Sequence, residues 1–82
     1  MVSTVIEIRV PEVADGGDKL SLGRWFKRTG DPVAANEPLV EIETGGVTHE
    51  VRAPGAGVLA TILVGDGGSV EAGTVVGSIR QF

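Results

Sequence analysis

Leu39-Val-Glu-Ile-Glu-Thr-Gly-Gly-Val-Thr-His-Glu-Val-Arg-Ala-Pro54 decides the fold. Apolar and polar residues alternate on both sides of Gly45-Gly46, the period-two pattern of a half-buried strand. Two glycines between such runs accept the positive φ that a two-residue hairpin requires, so the stretch predicts a tight β-hairpin with Thr44, Gly45, Gly46 and Val47 at its tip. On the stem, Glu41, Glu43 and Glu50 crowd together and read first as a solvated face.

Outward from the hairpin, the chain repeats itself. Gly30-Asp-Pro-Val-Ala-Ala-Asn-Glu-Pro-Leu-Val-Glu-Ile42 aligns with Gly67-Gly-Ser-Val-Glu-Ala-Gly-Thr-Val-Val-Gly-Ser-Ile79 at an offset of 37. Glu7-Ile-Arg-Val-Pro11 aligns with Glu50-Val-Arg-Ala-Pro54 at an offset of 43. The first half therefore carries about six extra residues, within Glu12 to Ser21. Each half reads as strand, loop, strand, glycine turn, strand. Neither half can bury its apolar face alone, so the two should pack about a pseudo-two-fold axis.

The expected fold is all-β: a flattened barrel or sandwich of two small antiparallel sheets, with residues 1–82 as one domain. Leu20 to Lys27 has a weak helical look, but its repeat partner Gly57 to Val64 argues for a strand. That partner is continuously apolar and predicts a strand covered on both sides. Trp25 should anchor the packing, with an acceptor for its indole N–H. His49 shares parity with Val47 and Val51 and should face partly inward. Thr44 has Gln81 as its quasi-equivalent, which sets the hairpin tip and the chain end at opposite ends of the domain.

Composition narrows the function. A chain of 82 residues without cysteine has neither a disulfide nor a thiolate metal site. Thirteen glycines and four prolines suit many turns between short strands. The net charge of −4 argues against nucleic acid, which needs a clustered basic face. Arg24, Lys27 and Arg28 form one small basic cluster and read as a solvated strand end. Glu7 and Arg9 interrupt the apolar start, against a signal peptide, and no run reaches membrane length. A cytoplasmic location, or the mitochondrial matrix in a eukaryote, is the expectation.

With these motifs in view, the chain resembles the lipoyl domain, the swinging-arm carrier of 2-oxo acid dehydrogenase complexes. The likeness runs from about Val5 to Ile79. It rests on the hairpin flanks, on Gly23-Arg-Trp-Phe-Lys-Arg-Thr-Gly-Asp-Pro-Val33, on Asn36-Glu-Pro-Leu-Val-Glu-Ile-Glu-Thr44 and on Ala53-Pro-Gly-Ala-Gly-Val-Leu59. Val47-Thr-His-Glu-Val-Arg-Ala-Pro54 leans towards the succinyl-transferring, 2-oxoglutarate type. In that family the tip reads Glu-Thr-Asp-Lys-Val, and the lysine amine carries the lipoyl group. Here Gly45 and Gly46 stand where Asp and Lys are expected.

The resemblance implies a non-catalytic carrier whose parent chain is a dihydrolipoyllysine-residue acyltransferase. As it stands, the chain would hold no cofactor, because glycine offers no amine to acylate. The lysine-bearing form would carry lipoyl and meet a 2-oxo acid decarboxylase, dihydrolipoamide dehydrogenase and a lipoate ligase or lipoyl transferase. The isolated domain should be monomeric. An Ala/Pro-rich linker follows this domain in the acyltransferases, so the chain reads as an excised N-terminal domain. The tip is either an altered copy of a true carrier or a natural relative that has lost its cargo; the intact remainder favours the former.

The resemblance also gives the loop from Glu12 to Ser21 a place beside the tip and a part in recognition by the decarboxylase. Asp15-Gly-Gly-Asp18 orders poorly, so this loop should be mobile. Asp15, Asp18, Glu41, Glu43 and Glu50 are the candidate partner-recognition residues. A calcium site on Asp15 and Asp18 lacks further carboxylates. Biotin carriers share the architecture, but their lysine sits between methionines, and Met1 is the one methionine here. Gly55-Ala-Gly-Val-Leu-Ala60 fits a dinucleotide fingerprint without the helix that motif needs. His49 has no catalytic partner in view, and neither a nucleophile–base pair nor a metal cluster supports an enzyme. The competing reading to a carrier is a lipoyl-like protein-interaction module.

Overall fold

The computed structural model describes residues 4–12 and 20–81. Among them the chain forms eight strands: β1 (Val5–Arg9), β2 (Leu20–Trp25), β3 (Pro32–Val33), β4 (Pro38–Thr44), β5 (Val47–Arg52), β6 (Gly57–Ile62), β7 (Ser69–Val70) and β8 (Val75–Arg80). They make two antiparallel four-stranded sheets, ordered β1-β8-β6-β3 and β5-β4-β2-β7. Each sheet takes two strands from each half of the chain. Exchanging β1–β4 with β5–β8 turns one strand order into the other, which is the pseudo-two-fold expected from the repeat.

The symmetry reaches individual side chains. The pairs Leu22/Leu59, Val33/Val70, Leu39/Val76, Ile42/Ile79, Ile8/Val51 and Val10/Ala53 are all buried. The first four pairs follow the offset of 37 and the last two that of 43. Ten residues (10–19) separate β1 from β2, while four (53–56) separate β5 from β6. The difference of six is the insertion read from the sequence. No helix occurs among the described residues.

Hydrogen bonds repeat in the same way. Gly30 donates to the Leu59 carbonyl at 2.8 Å, and its equivalent Gly67 donates to Leu22 at 2.7 Å. Asn36 donates to Ala53 at 2.9 Å, and Gly73 to Val10 at 2.8 Å. Asn36 has φ 67° where Gly73 has 87°. Asparagine tolerates this left-handed conformation better than other side chains do. Asn36→Ala should therefore cost about 1 kcal/mol, whereas Asn36→Gly should stay within about 0.5 kcal/mol of the parent. Urea midpoints of the two variants check this.

The repeated Glu-x-Arg motif has a structural role that its alignment did not reveal. Arg9 pairs with Glu7 at 2.6 Å and donates to the Gly73 carbonyl at 3.0 Å. Arg52 pairs with Glu50 at 3.4 Å and donates to the Asn36 carbonyl at 3.1 Å. In each half, an arginine on an outer strand ties that strand to a turn that links the two sheets.

The symmetry breaks at Trp25, and the break is compensated. The quasi-equivalents of Trp25 and Gly77 are Ile62 and Val40. A Cβ at Gly77 would lie 2.9 Å from the Trp25 ring and 2.6 Å from the Thr61 carbonyl oxygen. One large side chain facing none thus replaces two of middle size, as close packing requires. The Trp25 indole donates to the Val64 carbonyl at 2.8 Å, supplying the expected acceptor. Asp66 accepts the Trp25 backbone N–H at 3.1 Å.

One expectation fails. Gly57 to Val64 is not covered on both sides: β6 ends at Ile62, its outward residues are half-buried or exposed, and Leu63 is 63% exposed. The outward Val58 and Ala60 are aliphatic without a second layer over them, while Ile62 and Val64 pack against the core. A bulge between Leu59 and Thr61 also resets the inside–outside alternation.

A bridge between Lys27 and Glu37, 2.7 Å long, joins the bend after β2 to the turn before β4. The Ala34 N–H, donating to Glu37 at 2.9 Å, and then the Lys27 ammonium hold the Glu37 carboxyl below the usual carboxylate range. Glu37 in turn raises Lys27 above an ordinary lysine. A depressed carboxylate stabilises the fold above its unfolded pKa, about 4.3, and loses that contribution as pH falls through the folded value. The raised lysine contributes below its unfolded pKa and loses this as pH rises through the folded one. Glu37→Gln should accordingly lower the urea midpoint at pH 7 and much less at pH 3.

Candidate functional site: the β4–β5 hairpin tip

Register fixes the tip. Thr44 pairs with Val47, Glu43 with Thr48, Ile42 with His49 and Glu41 with Glu50. Gly45 and Gly46 alone make the turn, with φ 54° and 81°. Positive φ at both central residues is the signature of a type I′ turn, whose twist matches the strands it joins. Thr44 is buried, so the hairpin is anchored up to its last stem residue, while Val47 is 49% exposed. A Cβ at Gly45 or Gly46 would meet nothing within 4 Å. A side chain at either position would enter open solvent.

The tip lies far from the chain ends. β5 runs six residues from Val47 to Arg52, roughly 20 Å at about 3.3 Å per residue. Three residues further, a Cβ on Gly55 would lie 2.8 Å from the Gln81 side chain. Gln81 donates its backbone N–H to the Thr4 carbonyl at 2.8 Å, so both ends of the described chain sit there.

The glutamates of the stem do not converge on the tip. Glu41 and Glu50 face each other across β4 and β5, and each has its own arginine: Arg24 at 3.6 Å from Glu41, Arg52 at 3.4 Å from Glu50. Only Glu43 is left without an ion pair among the described residues. Its side chain lies over Gly23, where a Cβ would come 3.2 Å from the Glu43 Cγ. Asp15 and Asp18 fall outside the described residues, as does most of the loop expected at the tip. Its return is described: Ser21 pairs with Glu43, one residue before Thr44.

His49 faces partly inward, as its parity required, and its Nε2 is buried without a hydrogen-bond partner among the described residues. An orphaned buried nitrogen carries a desolvation penalty that an aliphatic side chain would avoid. His49→Val should raise stability by about 1 kcal/mol, read as a higher urea midpoint. Among the described residues, no group of three or more metal-ligating side chains occurs, and no helix is long and apolar enough to cross a membrane.

Chemically, neither turn position of the tip carries a reactive side chain. The tip combines exposure, a rigid two-strand stem and distance from the chain ends. An amine suited to acylation would have to come from another residue. Lys27 is held by Glu37 in the bend after β2, and Lys19 lies outside the described residues.

Comparison with known proteins fits this geometry. The biotin/lipoyl family model, described as "Biotin-requiring enzyme", matches residues 6–79. The dihydrolipoyllysine-residue succinyltransferase component of the 2-oxoglutarate dehydrogenase complex from Bartonella vinsonii subsp. berkhoffii is 44% identical over 74 residues, 90% of this chain and 18% of that protein. The Bacillus subtilis protein of the same name is 37% identical over 75 residues, 92% of this chain and 18% of its own length. The chain thus spans about a fifth of these relatives. The solution structure of the lipoyl domain of the 2-oxoglutarate dehydrogenase complex from Azotobacter vinelandii superposes with a TM-score of 0.73 at 32% identity, covering 90% of this chain and 94% of that one. The chain belongs to the biotin/lipoyl carrier family, and within it is a lipoyl-type domain.

Proposed function

We propose that this chain is the swinging-arm carrier domain of a 2-oxoglutarate-type acyltransferase, and that Gly46 occupies the cargo-attachment position. The observation that carries this reading is the hairpin tip: exposed, anchored at Thr44, open at position 46 and remote from the chain ends. The succinyltransferase names of the relatives support the choice of complex. Glycine does not fit a covalent lipoyl group, since amide formation needs an amine to displace the activating group from the acyl carbon. As it stands, the chain takes no lipoyl group and performs no chemistry of its own.

A lysine-bearing form would meet a lipoate ligase or lipoyl transferase, the 2-oxo acid decarboxylase and dihydrolipoamide dehydrogenase. Glu43, Glu41 and Glu50 on the stem, with Asp15 and Asp18 on the neighbouring loop, would then be contact points for those enzymes. Incubating the unaltered chain with lipoate ligase, lipoate and ATP should leave its mass unchanged. A gain of one lipoyl mass would overturn the assignment of Gly46.

A second reading, a lipoyl-like interaction module without cargo, has one observation in its favour. The turn has positive φ at both positions, a geometry that glycine suits better than Asp-Lys. On that reading the Gly-Gly tip belongs to the domain's own design.

A further inference from the structure

We propose that the outer face of the β1-β8-β6-β3 sheet docks an extended peptide segment carrying one carboxylate between aliphatic side chains. The surface lies at the chain-end side of the domain, away from Gly46, and the inference is independent of any cargo.

Register places Val5 opposite Arg80, Arg80 opposite Val58, and Val58 opposite Pro32. Directly opposed residues share a face of the sheet. Their neighbours Ile79, Leu59 and Val33 point into the core, so this row points out. It crosses all four strands, about 14 Å at roughly 4.8 Å per strand. Val5 is 59% exposed, Pro32 is exposed and Val58 is half-buried.

Arg80 stands at the centre of this strip with no ion pair among the described residues. The other polar groups on the face are already engaged. Glu7 is bound by Arg9, and the Thr61 and Ser78 hydroxyls bond each other. Among the described residues of this face, the one unanswered charge is the Arg80 guanidinium, flanked by aliphatic surface.

The pseudo-two-fold supplies an internal control. The quasi-equivalent row on the other sheet is Thr48–Glu43–Ser21–Ser69. There the flanks are hydroxyl-bearing and the central charge is negative. An outward row of this fold thus does not need aliphatic flanks for packing, so those beside Arg80 serve something outside the domain.

The dimensions suit one extended strand lying across the row. Residues two apart in such a strand are about 7 Å apart. With a carboxylate over Arg80, one aliphatic group falls beside Val5 and the other between Val58 and Pro32. The guanidinium can hold the carboxylate through two parallel N–H donors.

The test is an amide chemical-shift titration of the chain with the capped heptapeptide Ser-Val-Thr-Glu-Thr-Val-Ser, beside a twin with Gln for Glu. Shifts should centre on Val5, Val58 and Arg80, with affinity in the millimolar range. Arg80→Gln, at an exposed position, and the Gln peptide should each weaken binding about fivefold. Val58→Thr should weaken it about twofold. The proposal is overturned by equal affinity for the two peptides, by Arg80→Gln binding as the parent does, or by shifts centred elsewhere or absent. Shifts that follow protein concentration instead of peptide would mark a contact between copies and overturn it as well.

Discussion

Gly57→Ala destabilises this domain more than any other single-methyl addition should. The Cβ would fall inside the van der Waals envelope of the Arg80 carbonyl oxygen, 2.9 Å from the Arg80 carbonyl carbon and 2.9 Å from Ile79 Cγ2. Two of these atoms are backbone of β8, the neighbour of β6 in the sheet, so no rotamer change relieves the contact. The strands must part where β6 begins, at the point where Val58 pairs with Arg80 and Leu59 with Ile79. A cost of about 3 kcal/mol or more follows from overpacking together with lost pairing.

That is a large share of the stability of such a domain, about 4–12 kcal/mol at this length. The melting temperature should fall by more than about 12 °C. Gly65→Ala is the control: its Cβ meets nothing within 4 Å and its backbone is not left-handed. It should melt within about 3 °C of the parent. Equal melting of the two variants would contradict the close approach of β6 to β8.

Much of this fold was legible because its rules are local or repeated. Alternation on both sides of Gly45-Gly46 gave the hairpin, and two repeat offsets gave the two-fold, its six-residue insertion and the equivalence of Ile42 and Ile79. What escaped has no local signal. β3 and β7 are two residues each, too short for any period to register. The arginine ties of Arg9 and Arg52 reach carbonyls 64 and 16 residues away. The outward exposure of β6 was misread because aliphatic composition is not burial, and a bulge broke the parity. At the site, the tip and its stem were readable as residues. That Glu41 and Glu50 each have an arginine, leaving Glu43 alone over Gly23, depends on cross-strand neighbours that only register supplies.

The second large effect is a gain of modification. Replacing Gly45-Gly46 by Asp-Lys should make the chain a substrate of lipoate ligase. The stem from Leu39 to Thr44 and from Val47 to Arg52 is complete, and a side chain at 46 meets open space. The lysine amine would therefore stand clear of the domain, as an incoming enzyme requires.

The cost lies in the backbone. A side chain in the left-handed region loses about 1–2 kcal/mol, and both positions lie there. Asp tolerates the region, and the turn can relax towards negative φ at some loss of strand twist. Restricting the unfolded chain returns about 0.4–1 kcal/mol per replaced glycine. The net is a few kcal/mol at most, so the variant should fold, with amide dispersion as the check.

The direct test of the carrier assignment is the intact mass of the Gly45→Asp/Gly46→Lys variant after incubation with lipoate ligase, lipoate and ATP. A gain of one lipoyl group at position 46, with none on the parent chain, is the expected result. A folded variant that stays unmodified would contradict the carrier assignment and favour the interaction module.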